Sequence, residues 1–181
     1  MENSTIEFER KAYHEFLDWK AKLAGKIAYN STDPSVGLEL NLESSLFKCY
    51  FADTGLLVSQ SMTGEKEIDG RVLRGILYDK LGINEGMFFE NYVAQALVSA
   101  GHELLFHSKT NPKMEIDFLI RRGIKTCPIE AKSAACRRHA SLDALIERCR
   151  GKLGDKYVVC TEDYHEEGGI TYLPFYMAHC L

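Results

Sequence analysis

Two carboxylates and a lysine are the side chains of this chain that could do chemistry together. Glu130 and Lys132 lie two residues apart in an apolar, strand-like segment, and Asp117 lies thirteen residues before Glu130 in another such segment. Because side chains alternate between the two faces of a strand, Glu130 and Lys132 share a face. Pairing of the two segments across residues 121–124 would bring Asp117 close to that face.

Such a cluster suits metal-assisted hydrolysis. Two carboxylates and a backbone carbonyl can hold Mg²⁺, a hard cation that prefers oxygen ligands. Lys132 could then position the water that attacks a phosphodiester, or help to deprotonate it, while the metal stabilises the developing charge. The residues alone leave a second interpretation open, since paired charges on strands are often solvated or structural. The acid-x-Lys pattern is also unspecific by itself, because Asp18-Trp19-Lys20 matches it as well.

The same residues occur in the order of a known signature. Asp117 followed by Glu130-x-Lys132, and preceded by a helix that carries Glu90, resembles the PD-(D/E)XK nuclease superfamily. More specifically, the chain resembles the uncharacterised C-terminal domain attached to many bacterial and archaeal AAA-type ATPases. The late segment Ile170–Met177 fits the usual ending of that family. Four ordered blocks carry the resemblance: Lys48–Leu57, Glu85–Val93, Glu115–Phe118 and Pro128–Ser133.

The resemblance implies a restriction-endonuclease-like core and a metal-dependent nuclease site. In that site Asp117 and Glu130 would be the ligands of Mg²⁺ or Mn²⁺, and Lys132 would be the catalytic lysine. Glu90 matches the helical acid that supports the metal or a second ion. One departure concerns Lys109, because members of the family often carry arginine shortly before the acidic block. A phosphate contact made by Lys109 would be less bidentate than one made by arginine.

The chain is acidic as a whole, but its middle segment is basic and could bind a polyanionic partner. The formal net charge is −4, yet residues 104–156 hold 12 Lys and Arg against 6 Asp and Glu. A basic segment suits the backbone of DNA or RNA, with Lys109, Arg137 and Arg138 as candidate contacts. The counts are equally typical of a solvated face of mixed charge. The two arginines could also flank a helix whose other face packs on the sheet.

The periodicity of apolar residues predicts a mixed α/β fold. Residues 86–160 predict the order α-β-β-β-α-β, which indicates a mixed sheet flanked by helices. Arg122-Gly123 predicts a tight hairpin, and residues around His165 predict a turn. The helices are expected at 86–100 and 141–150, and the strands at 103–107, 115–120, 124–132, 157–160 and 170–173.

The first sixty residues predict a small helix-and-hairpin module rather than half of a large sheet. A helix over Glu7–Leu23 follows a capping-box pattern, and strand-like runs follow at 26–29, 38–42 and 47–51. Residues 61–70 are polar and form the expected linker to a nuclease-like domain over 70–181, which opens with an apolar helical face at 72–81. If the resemblance holds, residues 1–60 could be a winged-helix-like region that joins an ATPase to the core.

The sequence excludes some activities and leaves three functions in competition. No G-x-x-x-x-G-K-[ST] phosphate loop occurs, so this chain cannot hydrolyse ATP through a P-loop by itself. The resemblance then implies a fragment or relative of an AAA-type ATPase, whose ATPase domain would be a partner in the same or a longer chain. No membrane-spanning stretch and no secretory signal are evident, so we expect a cytoplasmic chain with reduced cysteines. The candidates are a Mg²⁺-dependent nuclease, a non-catalytic nucleic-acid- or protein-binding regulatory module, and a structural or oligomerisation domain.

Overall fold

The computed structural model of the chain describes residues 26–61, 85–110 and 113–181. The helix predicted over Glu7–Leu23, residues 62–70 of the predicted linker and the helical face predicted at 72–81 lie outside the described residues. The described part forms one eight-stranded sheet with helices. The mixed α/β class predicted from the sequence is therefore confirmed.

Eight strands and three α-helices make up the described part of the chain. The strands lie in the order β2-β1-β3-β4-β5-β6-β8-β7 across the sheet. Two short 3₁₀ helices span Leu38–Leu40 and Phe175–Cys180. The strands are β1 (Lys26–Ser31), β2 (Leu42–Tyr50), β3 (Leu105–Lys109), β4 (Met114–Arg122), β5 (Lys125–Lys132), β6 (Tyr157–Cys160), β7 (His165–Glu167) and β8 (Ile170–Pro174). The helices are α1 (Thr54–Ser61), α2 (Glu85–Ser99) and α3 (Ala140–Arg148).

Five strands of the sheet end at the same edge. β1 is parallel to β3, and β5, β6 and β8 are parallel to one another. Because β4 is antiparallel to both β3 and β5, those two strands run in the same direction. The carboxyl ends of β1, β3, β5, β6 and β8 therefore meet at one edge, where ligand sites commonly lie in open sheets. Lys109 ends β3 and Lys132 ends β5 at this edge.

The β1–β2 hairpin belongs to the same sheet as the strands that follow α2. Tyr29 and Asn30 of β1 pair with Leu105 and Phe106 of β3. The hairpin is thus one end of the large sheet and not separate from it, because the β1–β3 pairing joins the two. The domain boundary at residues 61–70 stays a prediction, since most of that stretch lies outside the described residues.

Apolar cores lie on both faces of the sheet. Alternate residues of the central strands pack against α2 on one face and against α3 on the other, which is the pattern of a sheet covered on both sides. The core beneath α2 includes Val93, Ala94, Leu97, Phe106, Phe118, Ile120 and Ile129. The core beneath α3 includes Leu142, Leu145, Met114, Ile116, Leu119, Val158 and Cys160.

Strand β4 changes face at Asp117. Ile116 packs in the core beneath α3, whereas Phe118, two residues later, packs in the core beneath α2. Residues two apart in a regular strand share a face, so the alternation is interrupted between them. The register of β3 against β4 also shifts in this region, between Leu105 and His107. Such a bulge re-aims a side chain, and the residue at this bulge is Asp117.

The predicted elements after residue 85 are largely present, with small changes at their ends. The predicted first helix corresponds to α2, and the tight hairpin at Arg122-Gly123 joins β4 to β5 with Gly123 at a φ of 61°. The strand predicted at 38–42 is wrong, because Leu38–Leu40 form a 3₁₀ helix that buries Leu38. The turn predicted around His165 is also wrong, because β7 pairs with β8 there without an apolar pattern that would reveal it.

Two further findings concern the apolar character of the helices and the state of the cysteines. None of the described helices is long and apolar enough to cross a membrane. All six cysteines lie in the described residues with free thiols. Four of them, Cys127, Cys136, Cys149 and Cys160, are buried and pack as small apolar residues.

Candidate functional site

Asp117 and Glu130 lie on adjacent antiparallel strands. Phe118 of β4 pairs with Ile129 of β5, and the two acids are the next residues beyond that pair. The Ala131 N–H donates a hydrogen bond of 2.9 Å to Oδ2 of Asp117. This bond holds the Asp117 carboxylate against the backbone that carries Glu130. The structure therefore brings the two acids together, as the hairpin in the sequence predicts.

Glu130 and Lys132 form an ion pair on one face of β5. Nζ of Lys132 lies 2.9 Å from Oε2 of Glu130. The Glu130 residue is only 2% exposed, and its Oε1 is buried without a hydrogen-bond partner. A buried carboxylate oxygen without a partner is unfavourable, because it has lost its water and gained nothing. Glu130 thus presents an oxygen that a cation or a hydrogen-bond donor would satisfy.

The carboxyl group of Asp117 is difficult to ionise. Burial raises the pKa of Asp117, and the negative charges of Glu130 and Glu90 raise it further, to about 7. The hydrogen bond from Ala131 and the positive charge of Lys48 offset only part of this rise in the pKa of Asp117. A cation between Asp117 and Glu130 would relieve the repulsion that raises this pKa.

Lys132 is a charged donor in this arrangement. Burial lowers the pKa of Lys132, but the hydrogen bond and the charge of Glu130 outweigh it. The negative charges of Asp117 and Glu90 add to this effect, so the pKa of Lys132 is raised above its usual value of 10.5. Lys132 therefore carries a proton at neutral pH, and it can donate hydrogen bonds to an anionic ligand.

Glu90 is held by side chains from β2. Nζ of Lys48 lies 3.1 Å from Oε1 of Glu90, and the Tyr50 hydroxyl donates a hydrogen bond of 2.5 Å to the same oxygen. Nζ of Lys48 also lies 2.6 Å from Oε1 of Glu115 in β4. Glu90 acts on Asp117 through its charge, while its hydrogen bonds go to Lys48 and Tyr50.

Three members of this cluster are not among the predicted site residues: Lys48, Tyr50 and Glu115. A signal for the first two exists in the sequence. Lys48 and Tyr50 alternate along a strand, so they share a face, and both belong to the first block of the resemblance. Glu115 lies two residues before Asp117 in the third block. The pairing with Glu90 itself joins residues about 40 positions apart, which no local pattern reveals.

Helix α2 is fixed to the end of β2 by two amide side chains. Asn91 is 2% exposed, and its side chain accepts a hydrogen bond of 2.8 Å from the Phe51 N–H. The same amide donates to the carbonyl of Phe51 and to the hydroxyl of Thr54. Gln95 accepts hydrogen bonds from both the N–H and the hydroxyl of Thr54. These bonds set the position of α2, and hence of Glu90, relative to β2.

Asp117 and Glu130 are the residues that fit a divalent metal ion. Among residues 26–61, 85–110 and 113–181, no group of three or more His, Cys, Asp and Glu is arranged to hold a metal ion. Mg²⁺ does not need such a group, since it often takes one or two carboxylates and keeps several waters. The unpartnered Oε1 of Glu130 and the raised pKa of Asp117 would both be compensated by a cation bound between the two carboxyl groups.

The predicted nucleic-acid contacts have different surroundings. Arg137 is paired with Glu167, with Nη1 and Oε2 2.6 Å apart, and both side chains are exposed. Arg138 is exposed on the same loop. Lys109 lines a polar pocket of about 510 Å³ at the carboxyl edge of the sheet, together with Arg148. Lys109 and Arg138 are therefore more available to a phosphate than Arg137 is.

Residues 85–177 match a family described as a domain of unknown function (DUF4143). The matched range covers more than half of the chain, so the chain belongs to this family. It has no significant similarity to a curated protein or to a solved structure. The matched range contains Glu90, Asp117, Glu130 and Lys132, whereas Lys48 precedes it.

Proposed function

We propose that this chain is a Mg²⁺-dependent nuclease-like module that acts on the phosphodiester bonds of nucleic acid. The observation that carries the proposal is the contact between Asp117 and the Glu130-x-Lys132 segment. Asp117 accepts a hydrogen bond from the residue between Glu130 and Lys132, and Glu130 keeps one buried oxygen without a partner. Two buried acids that lie side by side are unfavourable in a protein without a bound ligand. A cation would compensate their charges, and the lysine beside them could bind a phosphate.

Each residue of the cluster has a separate task in this proposal. A divalent cation, when bound, would polarise the phosphate and stabilise its developing charge. Asp117 and Glu130 would hold that ion, and the Ala131 N–H would keep the Asp117 carboxylate oriented. Because Lys132 is protonated, it would donate to the phosphate or to the attacking water rather than take the proton of that water.

The proposed fold and partner follow from the same residues. We propose that α2, β3, β4, β5, α3 and β6 form the restriction-endonuclease-like core that the sequence resemblance implies. The family to which the chain belongs commonly occurs with AAA ATPases. An AAA-type ATPase domain, in the same or a longer chain, is therefore the proposed partner, and nucleic acid is the proposed substrate.

Cleavage of supercoiled and of linear single-stranded DNA, with Mg²⁺ and with Mn²⁺, tests the proposal. The wild type should cleave, and Lys132→Ala should lose at least about a hundredfold in rate, because it lacks a donor to the transition state. Lys125→Ala is the matched control, since Lys125 is an exposed lysine of the same strand. Circular dichroism should show that all three proteins are folded under the assay conditions.

Two results would overturn the proposal. Cleavage that persists equally in Lys132→Ala would assign the activity to another site or to a contaminant. Absence of cleavage by the folded wild type, with either metal and on both substrates, would remove the catalytic function.

A non-catalytic regulatory module of an AAA ATPase is the second candidate. One specific observation favours it: Ile27, Tyr29 and Phe47 are exposed side by side on the β1–β2 hairpin, where a neighbouring domain could cover them. This function predicts no cleavage, and little change in partner affinity when Asp117, Glu130 or Lys132 is replaced.

A further inference from the structure

The acidic cluster already contains a cation at one end. The ammonium group of Lys48 lies between Glu90 of α2 and Glu115 of β4, 3.1 Å and 2.6 Å from their carboxylate oxygens. The same ammonium group lies 5.2 Å from the centre of the Phe106 ring, so a third element contacts it. The Lys48 side chain is 23% exposed, which places it inside the cluster rather than on the surface.

Glu90 makes its hydrogen bonds at the end of the cluster where Lys48 lies. Its Oε1 accepts a hydrogen bond from Lys48 and a second, of 2.5 Å, from Tyr50. Charge-assisted bonds of this length are strong and directional. They hold Glu90 through β2, while Glu130 pairs with Lys132 at the other end of the cluster.

We propose that Lys48 is a positioning residue that acts as a built-in cation for Glu90 and Glu115, so that the site takes one divalent ion rather than two. That ion would lie between Asp117 and Glu130. The presence of that ion rests on the proposed function. The role of Lys48 rests on its ion pairs with Glu90 and Glu115.

The charges of the cluster fit a single ion. Two ammonium groups, of Lys48 and Lys132, face four carboxyl groups, which leaves at most two negative charges to neutralise. One divalent cation supplies that charge, and a second would leave an excess of positive charge among partly buried side chains. The four carboxyl groups belong to Glu90, Glu115, Asp117 and Glu130.

Counting Mn²⁺ ions bound to the full chain tests the inference. Calorimetry, together with the electron paramagnetic resonance signal of free Mn²⁺, should give one ion for the wild type. Lys48→Met should bind one additional ion, because it leaves Glu90 and Glu115 without a cation. Lys125→Met is the control and should bind one ion, and Lys48→Met with Glu90→Gln should lose the additional ion again.

The outcomes separate this inference from the proposed function. Two ions in the wild type, or no additional ion in folded Lys48→Met, would overturn the inference. No ion in the wild type with one in Lys48→Met would support the role of Lys48 while removing the Asp117–Glu130 metal site.

A variant that unfolds is also informative. If Lys48→Met is unfolded, folding on addition of Mn²⁺ or of the second substitution Glu90→Gln would support the inference, because either one relieves uncompensated negative charge. If neither restores the fold, Lys48 is needed for some purpose other than neutralising these acids, and the inference is wrong.

Discussion

The backbone nitrogen of Ala131 is hydrogen-bonded to the side chain of Asp117, 2.9 Å away on the neighbouring strand. This bond links the acid of β4 to the residue that separates Glu130 from Lys132 in β5. Residues fourteen positions apart in the sequence thereby form one unit with a fixed geometry.

The stability of the metal-free chain should depend on the ionisation of Asp117. Its pKa is about 7 in the folded chain and 3.8 ordinarily, so the folded state binds more protons between these values. Wild-type stability should therefore fall as pH rises from about 4 to 7. Asp117→Asn cannot ionise, and at pH 8 it should be more stable than the wild type by about 2–4 kcal/mol.

Urea unfolding in EDTA at a series of pH values measures this effect. The difference in free energy of unfolding between Asp117→Asn and the wild type should grow with pH. Parallel profiles for the two proteins would contradict the raised pKa of Asp117.

Metal affinity should depend on the two acids and not on the lysine. Asp117→Asn and Glu130→Gln should each weaken Mn²⁺ binding by roughly tenfold or more, since each removes the charge of a proposed ligand. Lys132→Ala should bind Mn²⁺ at least as well as the wild type, because Oε2 of Glu130 is freed from its ion pair.

Isothermal titration calorimetry of the three variants checks this ordering. Glu147→Gln, which changes an exposed acid of α3, serves as the control. A weaker Mn²⁺ complex in Lys132→Ala than in Glu130→Gln would rule out the assignment of the ligands.

Nucleic-acid affinity should increase when Arg137 is released from its ion pair. Glu167→Gln removes the partner of Arg137 and one negative charge, so it should strengthen binding to single-stranded DNA. Lys109→Ala and Arg138→Ala should each weaken binding and reduce the salt slope by about one, as expected for a lost phosphate contact.

Fluorescence anisotropy with labelled DNA over a range of salt concentrations measures these changes. Glu166→Gln is the matched control, because Glu166 is an exposed acid of β7 that accepts a hydrogen bond from Tyr164. Equal affinities for Glu167→Gln and Glu166→Gln would mean that the Arg137 ion pair is irrelevant to binding.

Gly154 should not tolerate a larger side chain, because its loop packs directly on β5. A Cβ atom at this position would lie 2.6 Å from Sγ of the buried Cys127 and 3.2 Å from Cβ of Lys125. Gly154→Ala should therefore lower the free energy of unfolding by about 1–3 kcal/mol. Cys127→Ala in the same chain should recover part of the loss by removing the sulfur.

Chemical denaturation of the single and double variants measures this coupling. Gly86→Ala is the control, since a Cβ at Gly86 meets no atom within 4 Å and the residue lies in α2. An equal loss for Gly154→Ala with and without Cys127→Ala would show that the sulfur is not the obstacle.

Local sequence patterns were sufficient to predict the hairpin that carries Asp117, Glu130 and Lys132. The hairpin at Gly123 follows from a turn residue between two apolar runs, and the pairing of its two strands brings Asp117 close to Glu130. The shared face of Glu130 and Lys132 follows from strand alternation, and their ion pair agrees with it. These features depend on residues that are near one another in the sequence.

Features that depend on distant pairing could not be predicted in the same way. The place of β1 in the large sheet depends on its contact with β3, more than 70 residues away. The bonds of Glu90 to Lys48 and Tyr50 depend on how α2 docks on β2. The raised pKa of Asp117 depends on burial and on charges from other elements, which a linear sequence does not contain.

The alternation of side chains along β4 is interrupted at a single residue, Asp117. Ile116 and Phe118 point to opposite cores, as neighbouring residues of an ideal strand do. If residue 117 were deleted, Ile116 and Phe118 would become neighbours and the alternation would continue without a break. Asp117 is therefore an extra residue in the alternation of its strand, and this extra residue carries the carboxylate that is held beside Glu130.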